Sequence, residues 1–285
     1  MAALLGQCVV NWIMISLIYC LVSVGMTLIY SVMGILNFAH GAFYMLGGYV
    51  TYYFAVRFGW GFWSALVMSF LLVGLLGLLL YKGILRYFRD RLLLCLMITV
   101  GFASLFENGA YILFDPYEKS VPPFTTSVLR AFGLSLSAER LVVMSVALAI
   151  MISLGLFIKR TKPGRALRAV SEDDEAARLQ GVNTENAFTL GMFIASGLAG
   201  IAGALMAPVL AVGPFVGHEM IVNSFIIIIL GGVGSIPGAV AGSLVFGLIT
   251  SFCGTFLSGD VATMIGFVLL FLILVFRPRG LLVGT

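Results

Sequence analysis

The chain alternates long apolar stretches with short polar breaks. Runs of mostly apolar residues occupy approximately 9–33, 41–56, 61–81, 92–114, 141–158, 186–211, 219–233, 238–255 and 261–276. A helix crosses the hydrocarbon core of a bilayer with roughly 20 such residues. The pattern therefore predicts an all-α, polytopic transmembrane bundle of eight or nine spans. The second, seventh and eighth runs are short or interrupted by glycine, and backbone groups freed at such interruptions have to face protein or water. Broken or re-entrant helices are expected there.

Composition agrees with the periodicity. Apolar residues make up 61% of the 285 and charged ones 10%, a mean hydropathy of +1.13. So few charges cannot cover the surface of a soluble domain of this length. No Asp, Glu, Lys or Arg precedes Arg57, so the first run lacks the basic start of a signal peptide and reads as a retained span. Cys8, Cys20, Cys95 and Cys253 lie far apart in apolar runs, which fits packing or lipid-facing positions and neither a disulfide framework nor a metal site. The net charge of +4 resides in membrane-flanking basic residues and implies no nucleic-acid partner.

The placement of Lys and Arg orients the spans. Segment 82–91 has four basic residues and one acid, segment 159–185 has six and five, and the tail adds Arg277 and Arg279, whereas loop 115–140 is balanced at three and three. The positive-inside rule puts the first three in the cytoplasm and loop 115–140 outside. With nine crossings the N-terminus is external and the C-terminus cytoplasmic, Arg57 being a lone exception. Small residues recur every four positions at Ala195, Ala199, Gly203 and Ala207, beside Ser196, Gly200 and Ala204, and again at Gly234, Gly238 and Gly242. Such stripes let helix backbones approach closely in lipid; they fit packing within the bundle, with a dimer seam as the alternative.

One stretch breaks the apolar pattern. Residues 164–181, GRALRAVSEDDEAARLQG, hold three arginines and four acids. Pro163 and Gly164 are read as a break before a new polar helix of about ten residues, with Ser171 as its N-cap, acids in its first turn and Gly181 and Asn183 at its end. Such a helix is too polar to cross the bilayer and lies on the cytoplasmic face. Its acids can pair with Arg165, Arg168 and Arg178, which leaves a solvated connector as the plainest reading.

EAARLQG resembles the cytoplasmic EAA loop of ATP-binding cassette importer permeases. NFAHG (37–41), LGGVGSIPGA (230–239), PRGLL (278–282) and the loop GRALRAVSEDDEAARLQGVN extend the likeness nearly end to end. Together they resemble the branched-chain amino acid importer permeases, on the LivH side of the LivH/LivM pair. The resemblance implies a single permease domain over 1–285, with a coupling segment at 162–184 and an external loop at 115–140. It implies docking of ATPase subunits through Glu175, Ala176, Ala177 and Gly181, with Arg165 and Arg168 alongside. It also implies a second permease subunit, sister chain or self, an external substrate-binding protein, and residence in a bacterial cytoplasmic membrane. Members of the family commonly carry an acid after NFAHG where this chain has Ala42, which leaves urea or a short amide open beside an amino acid as the solute.

No enzyme constellation is present. The chain has no GK dipeptide and hence no Walker-type phosphate loop, and His40 and His218 have no partner at ligand spacing. No catalytic residue, cofactor or metal is expected, and ATP hydrolysis falls to another chain. Polar groups inside spans are costly and tend to face a pathway, which singles out Asn37, His40, Glu107, Asn108, Asn223 and Ser224, with Gly231 and Gly232 freeing backbone groups near a pore. Each has a plainer role: Glu107 reaching the outer interface, Asn37 and His40 bracing a broken helix. A passive channel or ion-coupled secondary transporter is the alternative of another class. A channel needs no docking helix, and proton coupling needs more intramembrane acids than this chain has.

Overall fold

The computed structural model describes residues 2–125, 127–131, 134–257 and 259–276. Arg277, Arg279 and the PRGLL stretch lie outside the described residues. Helix α1 (Ala2–Met33) has 32 residues, about 48 Å at 1.5 Å per residue. Gly34, at φ 69°, stops it by donating from its N–H to the Tyr30 carbonyl at 2.8 Å. The chain then turns back without a helix through 34–37. Helix α2 (Ala39–Tyr52) runs on through a π-turn at Tyr53–Arg57, and α3 (Phe62–Leu80) through a π-turn at Tyr81–Leu85 into the single turn α4 (Arg86–Phe88). Helix α5 (Leu92–Phe114) follows. A hairpin of β1 (Val128–Ala131) and β2 (Leu134–Ser137), with Leu129 opposite Leu136, is the one departure from helix among the named elements.

The second half comprises α6 (Ala138–Arg160), α7 (Lys162–Glu172), α8 (Asp174–Leu179), α9 (Thr184–Met206), α10 (Val216–Gly231), α11 (Ile236–Phe256) and α12 (Gly259–Phe276). The molecule is an all-α membrane bundle. Each of the nine apolar runs coincides with a helix, and among the described residues six helices are long and apolar enough to cross a bilayer. The eighth run corrects the expectation of a short segment. Ser235 caps α11, its Oγ accepting from Gly238 N at 3.1 Å, and Pro237 sits in the first turn, so the SIP stretch begins a helix of 21 residues. Proline is tolerated there because its missing N–H is one the first turn leaves unpaired anyway.

Helix α9 is the centre of the bundle, packed on α1, α2 and α3. Its small residues explain the closeness. A Cβ at Gly203 would collide with the Tyr44 carbonyl, and one at Gly47 with the carbonyl of Gly200. The Ser69 hydroxyl, fully buried, lies 2.9 Å from Gly47 O and 3.2 Å from Gly200 O, so α2, α3 and α9 share one interhelical hydrogen-bond site. The stripe on α9 is thus internal packing. The second stripe divides: Gly238 and Gly242 let α11 close on α10 at Gly231 and Ile227, whereas Gly234 adopts φ 86° in the turn between them. All four cysteines are free thiols, three of them buried.

Candidate functional site

The two ends of the bundle differ. At one end α6 passes into α7 and α8 and the chain re-enters through α9. Thr161 caps α7, Oγ1 accepting from Gly164 N at 3.0 Å, and Pro163 lies in the first turn. Pro163 and Gly164 therefore open this helix, where a break before it was expected. Gly164, Leu167 and Val170 form its buried face. Ser171 is not an N-cap. It lies inside α7 with its hydroxyl donating to Arg168 O at 2.8 Å, and the chain breaks two residues later. Asp173 is the cap, in extended conformation, with Oδ1 accepting from Glu175 N at 3.0 Å and Ala176 N at 2.9 Å. A carboxylate caps as well as a hydroxyl and suits the positive end of the helix better. The single ten-residue helix expected here is accordingly two helices.

Helix α8 ends in a Schellman motif. Val182 N donates to Ala177 O at 3.0 Å and Gly181 N to Arg178 O at 2.9 Å, with Gly181 at φ 81°. Asn183, expected to help end this helix, instead begins the next: its Oδ1 accepts from Asn186 N at 3.0 Å. Ala177 is buried, while Glu175, Ala176 and Leu179 face outward, Leu179 at 84% exposure.

Charged pairs tie α8 to the rest of this end. Arg89 Nη2 donates to Asp174 Oδ2 at 2.8 Å while its guanidinium lies 4.1 Å over the Phe188 ring. Arg178 Nε donates to Thr184 Oγ1 at 3.0 Å. Arg86 Nε lies 3.1 Å from Glu185 Oε1 without hydrogen-bond alignment, and the Tyr81 hydroxyl donates to Glu185 Oε2 at 3.2 Å. These side chains surround a polar cleft of about 370 Å³. Of the remaining arginines, Arg168 pairs with Glu172 at 3.1 Å and Arg165 is exposed. The basic segment 82–91 and the charged loop, separate in the sequence, form one surface.

The intramembrane polar residues do not converge on one site. Asn37 Oδ1 accepts from Ala39 N at 3.1 Å, and His40 Nε2 lies 3.0 Å from the Val22 carbonyl; both are fully buried braces at the start of α2. Phe38 N, freed by the break, donates to Thr99 Oγ1 at 3.2 Å. Thr99, fully buried on α5, is a residue the sequence did not single out, since a lone threonine in an apolar run has no distinguishing mark. Glu107 is half-buried on α5 and Asn108 exposed, donating to Ser104 O at 2.8 Å. The Ser224 hydroxyl turns back to Met220 O at 2.8 Å. Gly231 meets Gly238 where α10 crosses α11, and Gly232, at φ 108°, ends α10.

Asn223 differs from these. It is 3% exposed, Nδ2 donates to the Tyr19 hydroxyl at 3.3 Å, and Oδ1 has no hydrogen-bond partner among the described residues. It lines an open cavity of about 360 Å³ between α1, α2, α9, α10 and α11. Arg140 in the first turn of α6 and Gly203 and Met206 at the end of α9 line it too, so the cavity lies at the opposite end of the bundle from α7 and α8.

Comparison with known proteins agrees with this architecture. The family described as branched-chain amino acid transport system, permease component, matches residues 8–275. The chain is 28% identical to the high-affinity branched-chain amino acid transport system permease protein LivH of Escherichia coli K12, over 95% of this chain and 93% of that one. It is 29% identical to the corresponding permease protein BraD of Pseudomonas aeruginosa, over 97% and 95%. With LivM of Escherichia coli K12 it shares 26% identity, over 95% of this chain and 69% of the other. A multi-pass helical bundle with a polar two-helix insertion, matched by one family over nearly its whole length, belongs to the permease components of branched-chain amino acid transport systems, on the LivH-like side.

Proposed function

We propose that this chain is the permease subunit of an ATP-binding cassette importer that moves a small, net-neutral amino acid, branched-chain or otherwise apolar, into the cytoplasm. The observation that carries the reading is α8. A six-residue helix is far too short to be stable alone, yet it is capped at both ends, tethered by Arg89 and presented with Glu175, Ala176 and Leu179 outward. A large exposed leucine beside an alanine and a carboxylate suits a groove on a partner, with the carboxylate setting orientation. ATPase subunits are that partner, and residues 162–184 pass their motion to α9, which packs on α1, α2 and α3.

The basic residues of 82–91 and 159–178 support a cytoplasmic position for this end and an external one for the cavity end. With nine crossings, α2, α10 and α12 being the ones beyond the six long apolar helices, the N-terminus is external, and loop 115–140 offers the surface for a binding protein. A second permease chain completes the assembly. The relatives support the amino-acid reading through their names. Co-purification from the native membrane tests it: ATPase chains and a second permease are expected to accompany this one. Glu175→Lys is expected to insert normally and lose the ATPase. Leucine uptake driven by a proton gradient without ATP, or full ATP-driven uptake by Glu175→Lys, would refute it.

A further inference from the structure

We propose that the cavity at the outer end of the bundle binds the zwitterion of an apolar amino acid within a single permease chain. The proposal rests on the amino-acid permease reading above and adds a site to it. Two opposite charges line the same cavity, Arg140 from the first turn of α6 and Glu219 from the first turn of α10. Among the described residues neither takes part in an ion pair. Arg140 donates from Nη1 to Asn11 Oδ1, which holds one arm of the guanidinium. Its other N–H groups remain to donate to a carboxylate, for which the planar fork is suited.

Asn223 provides the second, independent observation. Its Nδ2 is committed to the Tyr19 hydroxyl, so among the described residues the buried Oδ1 is the atom left without a donor. A buried acceptor in that state is destabilising until a donor reaches it. An ammonium group supplies three donors, enough for Asn223 Oδ1 and the Glu219 carboxylate together. The rest of the wall is apolar, with Met14, Ile18, Met45, Met206 and Val212 prominent. Unbranched methionines adapt to side chains of varied shape. The volume, about 360 Å³, falls at the lower end of the roughly 300–1,000 Å³ usual for small-molecule sites.

These features specify the ligand class. A carboxylate faces Arg140, an ammonium faces Glu219 and Asn223, and a short apolar side chain lies against the thioethers and aliphatic groups. Urea would leave most of that wall in contact with polar atoms, and lysine would bring a second ammonium against it; both are unfavourable without partners.

The test uses the intact transporter in lipid nanodiscs, with equilibrium binding of labelled leucine and competition by leucinol, which lacks the carboxylate, and 4-methylpentanoate, which lacks the ammonium. Arg140→Gln is expected to weaken leucine binding tenfold or more and to narrow the difference between leucine and leucinol. Glu219→Gln should weaken it and narrow the difference between leucine and 4-methylpentanoate. Arg140→Lys, which keeps the charge, should recover part of the loss. A second measurement leaves the charged groups untouched: with native cysteines replaced, thiol labelling of Thr250→Cys is expected to slow in leucine and not in leucinol. Equal leucine binding by Arg140→Gln and Glu219→Gln, or labelling of Thr250→Cys indifferent to leucine, would overturn the proposal. If the unmodified transporter takes up leucine while these variants behave like it, only the cavity assignment falls; if it takes up no amino acid, the functional reading falls first.

Discussion

Gly181 offers the cleanest perturbation of the proposed coupling end. It holds φ 81°, and a Cβ built there meets no atom within 4 Å. Substitution therefore acts through the backbone alone, with no collision to confuse it. A non-glycine residue in this left-handed conformation costs about 1–2 kcal/mol, less for asparagine, which visits it more readily, and more for a β-branched residue. Proline fixes φ near −65° and also deletes the Gly181 N–H bond to Arg178, for a cost of about 3 kcal/mol or more. Since α8 is marginal by itself, a loss of 1–2 kcal/mol lowers the ratio of ordered to disordered α8 by roughly 5- to 30-fold. The series Asn, Ala, Val, Pro at position 181 is expected to lower partner ATPase stimulation in that order, with membrane insertion unchanged. Hydrogen exchange over 174–182 should rise in step. Full stimulation by Gly181→Val, or stimulation that falls without any change in exchange, would refute the argument that α8 must be ordered to couple.

Two further outcomes are expected. Gly203→Val drives a side chain into the Tyr44 carbonyl and should destabilise the bundle by about 1–3 kcal/mol, read as a lowered Tm in detergent, whereas Gly101→Val on α5, where a Cβ meets nothing within 4 Å, should change stability by less than about 0.5 kcal/mol; equal shifts would remove α9 from the centre of the packing. Ser127, exposed in the loop between α5 and α6, should as Ser127→Cys in a cysteine-free background react with an impermeant thiol reagent added outside, and labelling only from the cytoplasmic side would reverse the proposed orientation.

The sequence alone determined the bundle, because lipid imposes one strong condition: every apolar run has to be a helix that satisfies its own backbone. All nine runs were legible on that ground, as was the polar segment that no bilayer would accept. Gly181 was legible too, since a glycine after EAARLQ has a simple conformational use. Helix caps were less so. Ser171 and Asp173 are both good capping residues two positions apart, and the choice fell to Asp173 because Leu167 and Val170 hold α7 helical against the bundle through Glu172. Tertiary structure alone brought Arg89 to Asp174 across 85 positions, placed Thr99 under the broken start of α2, and set Arg140, Glu219 and Asn223 around one cavity. Each of these depends on which helices are neighbours, and hydrophobic periodicity carries no information about that. In the sequence Arg140 and Glu219 are charges 79 positions apart at the ends of apolar runs, where charges are ordinary; only the packing of α6 and α10 around a common space makes them a pair.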